Sequence, residues 1–206
     1  MQLRRLVSTL VLAFVLWAVM FSPLSSGYVS FWWTMTASAL ALTAFATLYR
    51  PQWLREVSLS PAEIGVGLVL AALLWLVFWV GDKVSALIFP FARAQVNLIY
   101  MLKSGQPGWL IALLMLLFVG PAEEIFWRGY VQRTLSQRFS PNVGFILTVL
   151  VYTFVHAVSC NLMLVCSALV AGLSWSLFYW LFPRRLGALI VWHAVWDVAV
   201  FVIFPI

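Results

Sequence analysis

The chain alternates long apolar runs with short polar connectors. Seven runs of about 17–24 residues predict seven helices long enough to cross the hydrocarbon core at 1.5 Å per residue. They are roughly Leu6–Pro23, Val29–Tyr49, Ala62–Gly81, Gly108–Tyr130, Asn142–Val158, Leu162–Phe182 and Leu186–Phe204. The runs are continuous rather than alternating, which argues against a β-barrel. Ser60-Pro61-Ala62-Glu63 reads as a capping box with proline at the first helical position. Ser140-Pro141-Asn142 and Pro183 read as breaks. Pro121 sits inside the fourth run and predicts a kink or a freed carbonyl there. Val84–Met101 is apolar but interrupted by Pro90, Arg93 and Asn97, so it reads as an interfacial or re-entrant segment rather than an eighth span. The expected fold class is all-α: one membrane-embedded domain over residues 1–206, with about seven to eight transmembrane helices around an intramembrane polar chamber.

Composition supports the same picture. Of 206 residues, 65% are hydrophobic and only 9% charged, far from a soluble domain of this length. The net charge of +6 points to basic cytoplasmic loops, and no basic-aromatic pattern suggests a nucleic-acid partner. With seven spans, Arg4, Arg5, Arg50, Arg55, Arg133, Arg138, Arg184 and Arg185 all fall on one side, and Lys83, Arg93 and Lys103 on the other. The positive-inside rule then puts the N-terminus in the cytoplasm. The run after Arg4-Arg5 is long for a secretory signal and lacks a clear cleavage site, so it reads as a retained first helix. The short, loop-poor chain suggests a bacterial inner membrane. Cys160 and Cys166 are about 9 Å apart along one helix, too far for a disulfide, and read as small apolar side chains. The tryptophans read mainly as interface and packing residues.

Against this background the polar residues inside the runs stand out. Glu123, Glu124, Arg128, His156, His193 and Asp197 include both histidines and half of the acids. A charge in hydrocarbon costs roughly 2.5–3.5 kcal/mol on insertion scales. One histidine or one Glu–Arg pair can serve merely to join helices; all six together predict a shared polar chamber.

Hairpin geometry aligns them. Glu123 lies 17 residues before Ser140 and His156 16 after it, so both sit about 24 Å from the turn, below the cytoplasmic surface. His193 and Asp197 are four apart on one helical face. Glu123 and Glu124 point about 100° apart and cannot share a task. Glu124 has Arg128 at i+4 and reads as half of a structural ion pair. Glu123 has no basic partner on its helix and is left free, with burial making it a better base. A carboxylate beside a neutral histidine can deprotonate water, and a second histidine can polarise a carbonyl or hold an oxyanion. This describes amide hydrolysis. No serine lies in a nucleophile elbow. Tyr152, four before His156, is placed to orient it or simply to pack.

Three motifs resemble the CAAX-protease and bacteriocin-processing family of intramembrane endopeptidases, also called Abi. Glu123-Glu124-Ile125-Phe126-Trp127-Arg128 is similar to its Glu-Glu-x-x-x-Arg, Tyr152-Thr153-Phe154-Val155-His156 to its Phe-x-x-x-His, and His193-Ala194-Val195-Trp196-Asp197 to its His-x-x-x-Asn/Asp. The resemblance covers about Gly108–Val198, within a motif-bearing core of about 108–206. It implies an eight-helix or similar membrane fold and hydrolysis of a peptide bond in a membrane-associated protein or peptide. It also implies that Glu123 and His156 activate water, that His193 and residue 197 serve the oxyanion, and that Glu124 and Arg128 support. Two departures matter: Tyr152 replaces Phe, and Asp197 stands where eukaryotic members carry Asn. An ionised Asp cannot donate to an oxyanion, so Asp197 is either protonated or orients His193.

Two alternatives stay open at this stage. Glu123, His156, His193 and Asp197 could bind Zn²⁺, although no H-E-x-x-H is present and a carboxylate with water suffices; no cofactor is favoured. The chamber could instead be a proton pathway, or belong to an immunity or scaffold protein. The substrate is not legible: peptide pheromones, bacteriocin leaders and C-terminal sorting tails all fit.

Overall fold

The structure, a computed structural model, describes residues 2–206, with side chains from Leu3 onward. Nine helices are found there: α1 (Gln2–Phe21), α2 (Phe31–Tyr49), the single turn α3 (Trp53–Glu56), α4 (Pro61–Ile88), α5 (Ala92–Met101), α6 (Gly108–Arg138), α7 (Pro141–His156), α8 (Leu162–Leu181) and α9 (Leu186–Ile203). Seven of them, all but α3 and α5, are long and apolar enough to cross a membrane. This is an all-helical integral membrane protein, as the hydropathy pattern predicts.

Two features differ from the sequence reading. α4 runs on through Gly81 to Ile88, about 42 Å in all. Gly81 has open space around it and nothing there stops the helix; Pro90 does, because it disfavours helical backbone in the residue before it. Val84–Ile88 therefore belongs to α4, and only Ala92–Met101 forms the separate segment. At ten residues, about 15 Å, α5 is too short to span.

α6 carries the second difference. Two of its stretches, Met115–Val119 and Ile125–Gln132, are π-helical and flank Glu123 and Glu124. Pro121 has no N–H for the i−4 carbonyl. The helix absorbs this by widening before it, and the Gly120 N–H reaches back to the Met115 carbonyl. The kink or freed carbonyl expected at Pro121 thus takes the form of a register shift within a continuous helix.

Polar pins mark the two ends of the bundle. At the arginine-rich end Arg50 donates from Nη1 to the Gly129 carbonyl at 2.8 Å and pairs with Glu56. Ser60 Oγ accepts from the Glu63 N–H. The Glu63 carboxylate crosses to α9 rather than closing the expected capping box, taking Arg185 Nε at 2.8 Å and the Ala188 N–H at 3.1 Å. At the opposite end α5 is held by Arg93 on Asp82, by Gln95 Oε1 accepting from Met163 N, and by Tyr100 donating to the Val200 carbonyl. α6 and α9 are the most buried spans and α4 the least. α9 packs chiefly on α4 and α6.

Candidate active site

Glu123 and Glu124 lie mid-α6 between the π segments, both buried. The backbones of α6 and α9 touch here: a Cβ on Gly120 would fall 2.7 Å from Ala194 Cα. Only glycine permits that approach, and it brings His193 up to the two glutamates.

Glu124 and Arg128 form the predicted pair, Oε1 to Nη1 2.8 Å, with neither side chain exposed. Arg128 also donates from Nη2 to the Gly172 carbonyl at 3.3 Å. Its guanidinium lies 4.9 Å from the Tyr152 ring and 5.3 Å from the Trp175 ring. A carboxylate, a carbonyl and two π faces together make a fully buried guanidinium tolerable.

The sequence reading of Glu124 as structural is incomplete. The same Oε1 lies 2.6 Å from His193 Nδ1, so Glu124 orients that imidazole. His193 Nε2 faces Asp197 Oδ2 at 3.5 Å, a longer contact. The ring is stacked on Trp175, centroids 3.7 Å apart. Asp197 thus flanks His193 on one side while Glu124 holds it on the other.

His156 ends α7 and is buried. Its Nδ1 lies 2.8 Å from the Tyr152 carbonyl, and its Nε2 accepts from Trp17 Nε1 at 3.2 Å. A carbonyl only accepts and an indole N–H only donates. The ring is therefore neutral, with its proton on Nδ1. Tyr152 touches His156 through its carbonyl, while its hydroxyl donates to Glu123 Oε2 at 3.1 Å. The ring of Tyr152 rests on Gly172, where a Cβ would meet it at 2.7 Å.

Glu123, His156, His193 and Asp197 all line one cavity of about 340 Å³, together with Tyr152 and Trp175. Elsewhere its wall is apolar, with Phe21, Trp32, Met35, Phe78, Met163 and Phe201 among the lining side chains. These come from the ends of helices opposite the arginine-rich turns, and α5 contributes Val96, Ile99 and Tyr100 to the same wall. The cavity thus runs from the site away from the arginine-rich end.

Both nitrogens of each imidazole already have partners. Among the described residues no three His, Cys, Asp or Glu side chains form a group that could hold a metal ion. Cys160 and Cys166 are free and exposed.

Sequence reasoning missed Trp17 and Trp175. Half of the chain's 12 tryptophans, Trp17, Trp32, Trp127, Trp175, Trp192 and Trp196, are buried rather than interfacial. Trp17 has no short-range signal, because its partner is 139 residues away.

Residues 104–199 match the family described as type II CAAX prenyl endopeptidase Rce1-like. No curated protein and no solved structure matches the chain. The matched segment holds Glu123, Glu124, Arg128, His156, His193 and Asp197, and so contains all three motifs that resemble the CAAX-protease family.

Proposed function

We propose that the protein is an intramembrane endopeptidase of the glutamate type, cleaving a peptide bond in a membrane-associated protein or peptide. The observation that carries this is the convergence of Glu123, His156, His193 and Asp197, from three helices, on one apolar-walled cavity.

Glu123 is the general base. Its Oε2 accepts from Tyr152, and the carboxylate takes the proton of a water that attacks the scissile carbonyl. His156 Nε2 is a second acceptor for that water once the Trp17 N–H yields to it. A carboxylate and a neutral imidazole, both acceptors, turn the lone pairs of water toward the carbonyl. His193, protonated on both nitrogens between Glu124 and Asp197, donates from Nε2 to the oxyanion. The proton held by Glu123 then passes to the leaving amine. Glu124 and Arg128 position His193 rather than react. No metal enters this scheme.

The arginine-rich end is assigned to the cytoplasm of a bacterial inner membrane by the positive-inside rule. In that orientation the cavity faces away from the cytoplasm.

Glu123→Gln tests the reading, because it keeps shape and removes the base. Membrane peptidomes of cells carrying the parent or the variant are compared. Fragments present only with the parent support an endopeptidase. Identical peptidomes, with both proteins equally abundant, defeat the proposal.

A further inference from the structure

A second polar cavity, of about 390 Å³, lies at the arginine-rich end, away from the site. Its lining is Tyr49, Arg50, Gln52, Glu56, Arg133 and Gln137. Arg50 is spent on Glu56 and the Gly129 carbonyl. Arg133 is not: among the described residues its guanidinium has no carboxylate partner, and its Nε is buried without a hydrogen bond. With two arginines and one glutamate the lining carries a net charge of +1. Arg5, 5.1 Å from the Tyr49 ring, adds a cation beside it.

We infer that this cavity binds a phosphate oxyanion, seated on the Arg133 fork. Guanidinium groups match phosphate bidentately, and one negative charge balances the lining residues, with Arg5 a further cation beside them. The amides of Gln52 and Gln137 supply neutral donors. The position favours the phosphodiester of a membrane phospholipid over free phosphate. The cavity lies where α2 and the spanning helix α6 reach the end of the bundle, and exposed Leu48 and Leu54 adjoin the lining residues in sequence, offering apolar surface for acyl chains. The same Arg50 braces Gly129, one residue past Arg128 on α6, so an occupied cavity would stiffen the helix that carries the site.

The test uses the full-length protein in detergent, with no substrate required, so it stands or falls apart from the protease reading. Phosphatidylglycerol, diacylglycerol and inorganic phosphate are added separately, and retention by native mass spectrometry and melting temperature are read. One equivalent of phosphatidylglycerol is expected to be retained and to raise the melting temperature, while diacylglycerol does neither. Arg133→Gln is expected to weaken retention at least tenfold. Gln137→Glu, at an exposed position, puts a negative charge into the cavity and is expected to do the same if Arg133→Gln does not fold. Arg184→Gln, an equal charge change at an exposed residue, is expected to bind like the parent. Equal loss in Arg184→Gln, or none in the two cavity variants, overturns the site. Equal stabilisation by inorganic phosphate at millimolar concentration overturns the lipid as its source.

Discussion

One oxygen of Glu124 serves two partners: Arg128 Nη1 at 2.8 Å and His193 Nδ1 at 2.6 Å. The charge pair and the candidate oxyanion donor are therefore one network. Glu124→Gln leaves the Arg128 guanidinium uncompensated in the interior. The expected cost is about 3–5 kcal/mol, read as a lower melting temperature in detergent, together with lost cleavage. A variant as stable as the parent would mean that the pair carries little of the fold.

Asp197→Asn is expected to be mild. His193 is already oriented through Nδ1 by Glu124, and the Asp197 contact is the longer one at 3.5 Å. The family pattern also accepts Asn here. Cleavage within about tenfold of the parent, some 1.4 kcal/mol, is the expected outcome. Loss of a thousandfold or more would assign Asp197 the orienting task instead.

What was legible in the sequence was whatever local spacing encodes. Seven spans follow from run length, and Glu124–Arg128 and His193–Asp197 from i,i+4 spacing. The level of Glu123 and His156 follows from counting outward from Ser140-Pro141. Contacts that depend on how helices rotate against one another were not legible. The π segments around Pro121 shift register within α6, so no ideal helical wheel places Glu124 on His193. Trp17 reaches His156 from α1, outside the matched segment 104–199. Nothing in the apolar run Leu6–Pro23 distinguishes it from the tryptophans that merely pack.

Trp17→Phe removes the N–H that occupies His156 Nε2 and leaves the Tyr152 carbonyl on Nδ1. In ¹⁵N NMR of histidine-labelled protein, the Nε2 resonance is expected to move toward that of an unbonded, unprotonated nitrogen while Nδ1 stays protonated. About 1–3 kcal/mol of stability goes with the lost ring volume and hydrogen bond. An unchanged Nε2 resonance would show that the 3.2 Å contact does not persist in solution.

Gly120→Ala is expected to separate α6 from α9. The new Cβ meets Ala194 Cα at 2.7 Å, backbone that cannot step aside. Overpacking of this kind costs about 1–3 kcal/mol, and the Glu124–His193 contact lies beside the same approach, so cleavage falls as well. Gly81→Ala is the control. It has nothing within 4 Å and, as an interior helical glycine, gains up to about 1 kcal/mol. If both variants melt and cleave alike, close approach at Gly120 is not what builds the site.

Chelation is expected to leave cleavage intact. A catalytic zinc needs neutral imidazole nitrogens with free lone pairs. In this chain His156 Nδ1 donates to a carbonyl, and Nε2 is filled by an indole. His193 is held at both nitrogens by carboxylates. Freeing the two Nε2 atoms would give up the Trp17 contact and the longer Asp197 contact. Exhaustive dialysis against 1,10-phenanthroline, followed by a cleavage assay, is therefore expected to give parental rates. Activity that disappears and returns with added Zn²⁺, but not with Mg²⁺, would replace the water-on-glutamate mechanism with a metal-bound one.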